Sequence, residues 1–203
     1  MALFTDQLYL RAPAWGNPVE GWGSYMDVIM APGTLSGASR GTIPSVQMPS
    51  GSGYISGHLL NQDMGGNGVR CNLFPLTGSA NMQHKTFETM VKTLMMVLGR
   101  IDPVKTGYYY GVYYEVDASD PFLGWTNRGF KVDKQYVYAP SKVDIKIQVV
   151  KIARAIVDGA YNRMVTGWSN VSFLNDTDTP IFESARMSLT SLKTNYEGEV
   201  RNT

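Results

Sequence analysis

Residues Tyr54 to Leu98, YISGHLLNQDMGGNGVRCNLFPLTGSANMQHKTFETMVKTLMMVL, constrain the fold more than any other stretch. Two short apolar runs and one long helical run follow each other there, with only turn-forming residues between them. The pattern predicts a strand over Tyr54 to Leu60 with His58 near its end, then a glycine-rich excursion at Gly65-Gly66-Asn67-Gly68. Asn72 to Leu76 is a second extended run. Thr77, Gly78 and Ser79 make a turn, with Ser79 as the N-cap of a helix running to about Leu98. Phe87, Val91, Leu94 and Leu98 recur at helical spacing and form its core stripe. Gly99 ends it, and Pro103 follows as a stop.

Both histidines of the chain lie in this stretch. Asn81, His84 and Glu88 stand at i, i+3 and i+7, on one helix face that is in part opposite the core stripe, with Lys85 and Lys92 flanking it. Folding the helix back on the strands brings His58 towards Asn81. An imidazole beside an amide oxygen and a carboxylate suits one hard cation and one general base.

The ordered series GHLLN, GG-x-G, N-L-F-P-L-T, A-N-x-x-H and then Glu88 resembles the His-Me finger nucleases. In particular it is similar to the DNA/RNA non-specific endonuclease domains found as C-terminal toxin modules in bacteria. The resemblance covers about a quarter of the chain. It implies a ββα-metal (His-Me) finger embedded in a mixed, strand-rich single domain of the α+β class. It also implies a metal-dependent endonuclease that hydrolyses phosphodiester bonds of DNA and/or RNA with little sequence specificity, as an antibacterial toxin or effector. Matched motif to motif, His58 is the expected general base, Asn81 the metal ligand, and Asn72 the residue that orients the loop and the site. The implied cofactor is Mg²⁺ (or Mn²⁺), one per site. Related nucleases often carry Arg two residues before the catalytic His; Ser56 stands there in this chain, and Arg70 is the candidate for phosphate contact in its place.

Phosphodiester hydrolysis needs an activated water and stabilisation of charge on phosphate and on the departing oxygen. A neutral imidazole with a pKa near about 6.5 can take the proton from water at neutral pH. Glu88 is expected to hold a metal-bound water. His84 and Lys85 are candidates for substrate phosphate, or else solvated helix residues. The implied partners are the nucleic acid and, for a toxin, a cognate immunity (inhibitor) protein. The alternative reading is a catalytically inactive nucleic-acid-binding module, or a structural module of a phage or secretion apparatus.

A chain of 203 residues can bury a core as one domain. Its expected divisions are an irregular Gly/Pro-rich lobe at 1–50, the finger at 51–100 and a strand-rich part at 101–203. No run approaches the roughly 20 apolar residues of a membrane span, so no membrane is expected. The N-terminal MALFTDQLYLRAPAW lacks the basic start and apolar core of a signal peptide. Synthesis in the cytoplasm is therefore expected, with any secretion or injection into target cells left to a dedicated machine. Cys71 is the only cysteine, which excludes an internal disulfide and a thiolate zinc site, and we expect it to fill a packed loop.

The net charge of +1 decides nothing about nucleic acid, but its distribution is uneven. Arg128, Lys131, Lys134, Lys142, Lys146, Lys151, Arg154 and Arg163 outnumber Asp133, Asp144 and Asp158, as a phosphate track or a solvated surface would. Short strands are expected at Tyr25 to Met30 and Thr42 to Met48, with Trp15 and Trp22 anchoring the N-terminal lobe by packing rather than by stacking bases. Tyr-rich Gly107 to Asp117 reads as a strand paired with Gly129 to Tyr138. Ser141 to Val157 reads as a strand running into a short helix. Val165 to Leu174 is a strand or loop with Trp168 and Phe173 inward, Asn175 to Pro180 a turn, and the tail from Glu183 a weak helix.

Overall fold

The computed structural model describes residues 8–32, 41–120, 125–132, 135–160, 165, 168–174 and 195–203. Its centre is an antiparallel sheet. Strands β1 (Leu8–Trp15), β2 (Tyr25–Ala31), β5 (Tyr108–Asp117), β8 (Lys142–Ala153) and β10 (Asn195–Arg201) lie side by side in that order, and β9 (Val171–Phe173) also pairs with β8. Two hairpins stand outside it: β3 (Tyr54–His58) with β4 (Leu73–Thr77), and β6 (Thr126–Val132) with β7 (Gln135–Ala139). Helix α1 (Gly78–Leu98) follows β4 directly; α2 (Pro103–Thr106) and α3 (Arg154–Gly159) are short. The fold is thus mixed α+β and strand-rich, as expected.

Period-two alternation decides which residues meet α1. Met26, Val28 and Met30 of β2, Tyr110, Val112, Tyr114 and Val116 of β5, and Val143, Ile145, Ile147 and Val149 of β8 form one apolar face of the sheet. Val91, Leu94, Met95 and Leu98 of α1 close onto it, together with Leu59, Leu60, Phe74 and Leu76 of the first hairpin. Each fully buried Leu or Val there contributes about 1.5–3 kcal/mol, so this layer is the main stabilising element. The opposite face carries a smaller cluster around Ile29, Tyr113, Val150, Ile152 and Val157.

Several expectations change. The N-terminal segment is no separate irregular lobe: β1 and β2 are neighbouring strands of the central sheet. Thr42 to Met48 forms no strand, because its polar groups turn to the loop between β3 and β4 instead. Strand β5 pairs with β2 and β8, not with the segment after it, which makes its own hairpin. Trp15 is exposed rather than packed in the core, and so are Trp168 (39%) and Phe173 (41%), which stack on one another. The tail pairs along β8 as β10, its Val200 inward, where a helix was expected. Asn175 to Pro180 and the tail up to residue 194 lie outside the described residues. No helix among the described residues is long and apolar enough to cross a membrane.

Candidate functional site

The run from Tyr54 folds as a strand, a loop, a second strand and a helix, in contiguous order. Strand β3 pairs with β4 in the register Tyr54↔Thr77 to His58↔Leu73, so His58 ends the hairpin remote from the start of α1. The helix then runs back along the hairpin. Thr77, not Ser79, caps it: its Oγ1 accepts from the Ala80 N–H at 3.3 Å. The return brings His84 beside Phe74, ring centroids 6.2 Å apart, where Phe74 is the register partner of Gly57. His84 and Glu88 are therefore level with His58, while Asn81 sits nearer the helix start, about 10 Å before Glu88 along the axis.

Three side chains close the loop between the strands. Asn72 is fully buried; its Oδ1 accepts from the Leu60 N–H at 2.7 Å, and its Nδ2 donates to the Leu60 and Asn67 carbonyls at 2.9 and 2.7 Å. All of its side-chain bonds go to loop backbone, so Asn72 fixes the conformation of the loop between β3 and β4. Asn61 Nδ2 donates to Glu88 Oε2 at 2.8 Å, and Lys92 pairs with Asp63 at 3.1 Å. The loop is thus pinned to α1 at two points one helical turn apart.

A further segment, 41–46, lies across the same loop. Gly41 N–H donates to Gln62 O at 2.7 Å, Gly68 N–H to Thr42 Oγ1 at 2.8 Å, Ser45 N–H to Gly68 O at 2.7 Å and Ser56 Oγ to Val46 O at 2.6 Å. Added side chains at Gly41 or Gly68 would overlap the Gly66 or Ile43 carbonyls, so these glycines permit the approach. His58 Nε2 lies 3.1 Å from the Thr42 carbonyl. A carbonyl can only accept, so Nε2 carries the proton and Nδ1 keeps its lone pair.

Electrostatics separates the two histidines. Burial lowers the His58 pKa, while the Thr42 carbonyl and then the Glu88 carboxylate act to raise it. The result is an imidazole held below its usual value, neutral at pH 7. Glu88, 5% exposed, is raised by burial against the lowering effects of Asn61, Lys92, His58 and Lys85. His84 is 2% exposed and pushed down to about 4 by burial and then by His58; its Nε2 shares a hydrogen bond of 2.9 Å with Tyr114 Oη. His84 and Glu88 stand at the head of the core stripe 84, 88, 91, 95, 98, not opposite it. The expected phosphate contact by His84 is corrected accordingly: an interior, neutral imidazole reaches no solvent-borne phosphate.

Lys85 is exposed beside Glu88. Asn81 is half-buried, and its side chain makes no hydrogen bond to another described residue. Arg70 lies in the 3₁₀ turn Arg70–Asn72 with its guanidinium 5.0 Å from the Trp22 ring centroid. Cys71, expected in a packed loop, is exposed. In the basic stretch, Lys142 pairs with Asp144 and Glu199, and Arg154 with Asp158. Lys146 stands opposite Glu115 and Glu197 in the ladder. Those cations face acids, which weakens the phosphate-track reading; Lys134 and Arg163 lie outside the described residues, and the side chains of Arg128 and Lys131 are likewise not described.

The residues missed from sequence are Thr42, Asn61 and Tyr114. Asn61 closes the GHLLN motif and could have been singled out; Thr42 acts through its backbone, which leaves no mark in the side-chain pattern. Neither a scan against protein-family models nor a search of curated proteins finds a match for the chain.

Proposed function

We propose that the chain is a metal-dependent nuclease of the ββα-metal type, hydrolysing phosphodiester bonds of DNA and/or RNA with His58 as general base. The observation that carries this reading is the bond from His58 Nε2 to the Thr42 carbonyl, which leaves Nδ1 as a free lone pair on a half-buried, neutral imidazole. A base so oriented takes a proton from an attacking water without first having to lose its own.

The donor set fits a hard divalent cation. Asn81 offers an amide oxygen without a described partner, and Glu88 keeps Oε1 outside its bond to Asn61. Asn81 would hold Mg²⁺ (or Mn²⁺), with Glu88 steadying a water in its shell. Such an ion, when bound, supplies charge stabilisation for the phosphate and the departing oxygen. Of the remaining residues, Asn72 and Asn61 hold the loop and the carboxylate in place, Lys85 offers an exposed cation to the substrate, and Arg70 a second. An acidic inhibitor protein covering this face is the partner such an enzyme would need in its own cell.

The test is a digest of plasmid DNA and of RNA, side by side, with Mg²⁺ or EDTA, using wild type and His58→Ala. Cleavage that needs the metal and falls about 10²–10⁴-fold in His58→Ala is expected. A shifted band without cleavage points instead to a nucleic-acid-binding module, and wild-type rates from His58→Ala remove His58 as the base.

A further inference from the structure

Trp22 was expected to pack inward, yet it is half-buried and absent from both apolar clusters. The Arg70 guanidinium lies over one face of its ring instead. The turn that carries the indole is held by its backbone: Val19 and Trp22 exchange backbone hydrogen bonds of 2.9 Å, and the Gly23 N–H donates to the Arg70 and Leu73 carbonyls at 2.9 Å. Gly21, at φ +78°, tightens this turn, and a Cβ there would lie only 3.3 Å from Arg70 Nη1. Among the described residues no carboxylate lies within 4.0 Å of the guanidinium, although Arg11, Arg154 and Arg201 all have one. Leu73, three residues on, is the register partner of His58, so Arg70 and His58 have Cα atoms on the order of 10 Å apart.

We propose that Trp22 and Arg70 form a nucleotide subsite beside the His58 site, in which the guanidinium binds a phosphate and the indole stacks a base of a single-stranded substrate. The inference rests on the nuclease reading of that site. The chemistry divides between the two residues. A guanidinium lying on an aromatic face keeps its N–H fork directed outward in its own plane, as bidentate phosphate contact requires. A half-open indole offers a platform that any unpaired base can use. In a duplex the base faces already stack on their neighbours, so only the phosphate contact is common to both substrates. Such a subsite makes the enzyme prefer single strands, or frayed and looped regions, without reading sequence.

The experiment uses the full chain carrying His58→Ala, so that binding is measured without turnover. The probes are a fluorescein-labelled dodecathymidylate and a labelled dodecamer duplex, titrated across a salt series. Trp22→Ala should weaken single-strand binding about 10-fold and duplex binding under about 2-fold, whereas Trp22→Phe should keep most of the affinity. Arg70→Ala should weaken both and lower the salt slope on the single strand by about 0.7. Near-UV circular dichroism identifies any variant that has lost its fold, and Trp22→Phe then carries the comparison. Equal losses on both probes, or none, overturn the base platform; an unchanged salt slope overturns the phosphate contact. Wild-type protein that binds as described but cleaves nothing keeps the subsite and removes the nuclease reading; metal-dependent cleavage indifferent to Trp22 and Arg70 does the reverse.

Discussion

His84 and His58 are the same side chain in two environments, and burial assigns them different work. His84 folds neutral, with a pKa of about 4 against 6.5 for the free group, so the unfolded chain binds one more proton between those values. The stability this confers is complete above 6.5 and drains away as pH falls towards 4, by about 3 kcal/mol. Urea unfolding at pH 7 and pH 4 should show that much less acid loss in His84→Gln than in wild type; equal losses would place the acid sensitivity elsewhere. His58 is lowered less, and Glu88 acts to raise it. In the proposed reaction the neutral form of His58 acts, so the acid limb of the cleavage profile should lie below pH 6.5. Glu88→Gln removes a charge that favours imidazolium, and the limb should move to still lower pH. A limb that stays put, or moves up, would show that the carboxylate does not act on the base.

At the scale of elements, two glycines of the strand–loop–strand–helix unit differ in whether the structure needs them bare. Gly68 is bare because Ile43 O occupies the space a Cβ would take, and the approach of segment 41–46 depends on that. Gly68→Ala should push the Thr42 carbonyl away from His58. Cleavage should then fall at least about 10-fold while the sheet stays folded, since a base of mixed tautomer is poorly oriented. Gly78, at the start of α1, has nothing within 4 Å of its would-be Cβ and no positive φ. Gly78→Ala should therefore stabilise by about 0.4–1 kcal/mol through a less flexible unfolded chain. Thermal melts with a cleavage assay separate the two, because one variant loses activity and the other gains stability.

For the whole molecule, the question is what fixes the strand–loop–strand–helix unit on the sheet. Apolar packing of α1 does most of it, but Asn202 adds a directed clasp. Its Oδ1 accepts from the Thr77 N–H at 2.8 Å, and its Nδ2 donates to the Pro75 and Pro140 carbonyls, each at 2.9 Å. One side chain thereby joins β4, the helix start and the β7–β8 connection. Asn202→Ala orphans two buried carbonyls and a part-buried N–H and should cost about 2–3 kcal/mol, lowering Tm by about 5–10 °C. A melt within about 1 °C of wild type would mean that water replaces the amide there.

The amino-acid sequence by itself determined the strand, loop, strand and helix from Tyr54 to Leu98, because period-two and helical spacing are local and glycine, Thr77 and Gly99 punctuate them. It likewise determined β2, β5 and the passage from β8 into α3, each marked by β-branched and aromatic runs. The tertiary structure alone decided which side of α1 faces inward: His84 and Glu88 look polar in sequence, and only their closure against Tyr114 and Asn61 makes them core residues. It alone decided that β10 is a strand, since a polar run such as NYEGEV acquires its pattern from pairing with β8. It alone supplied the Thr42 carbonyl to His58, because a backbone oxygen is present at every position and becomes particular only where the chain brings it.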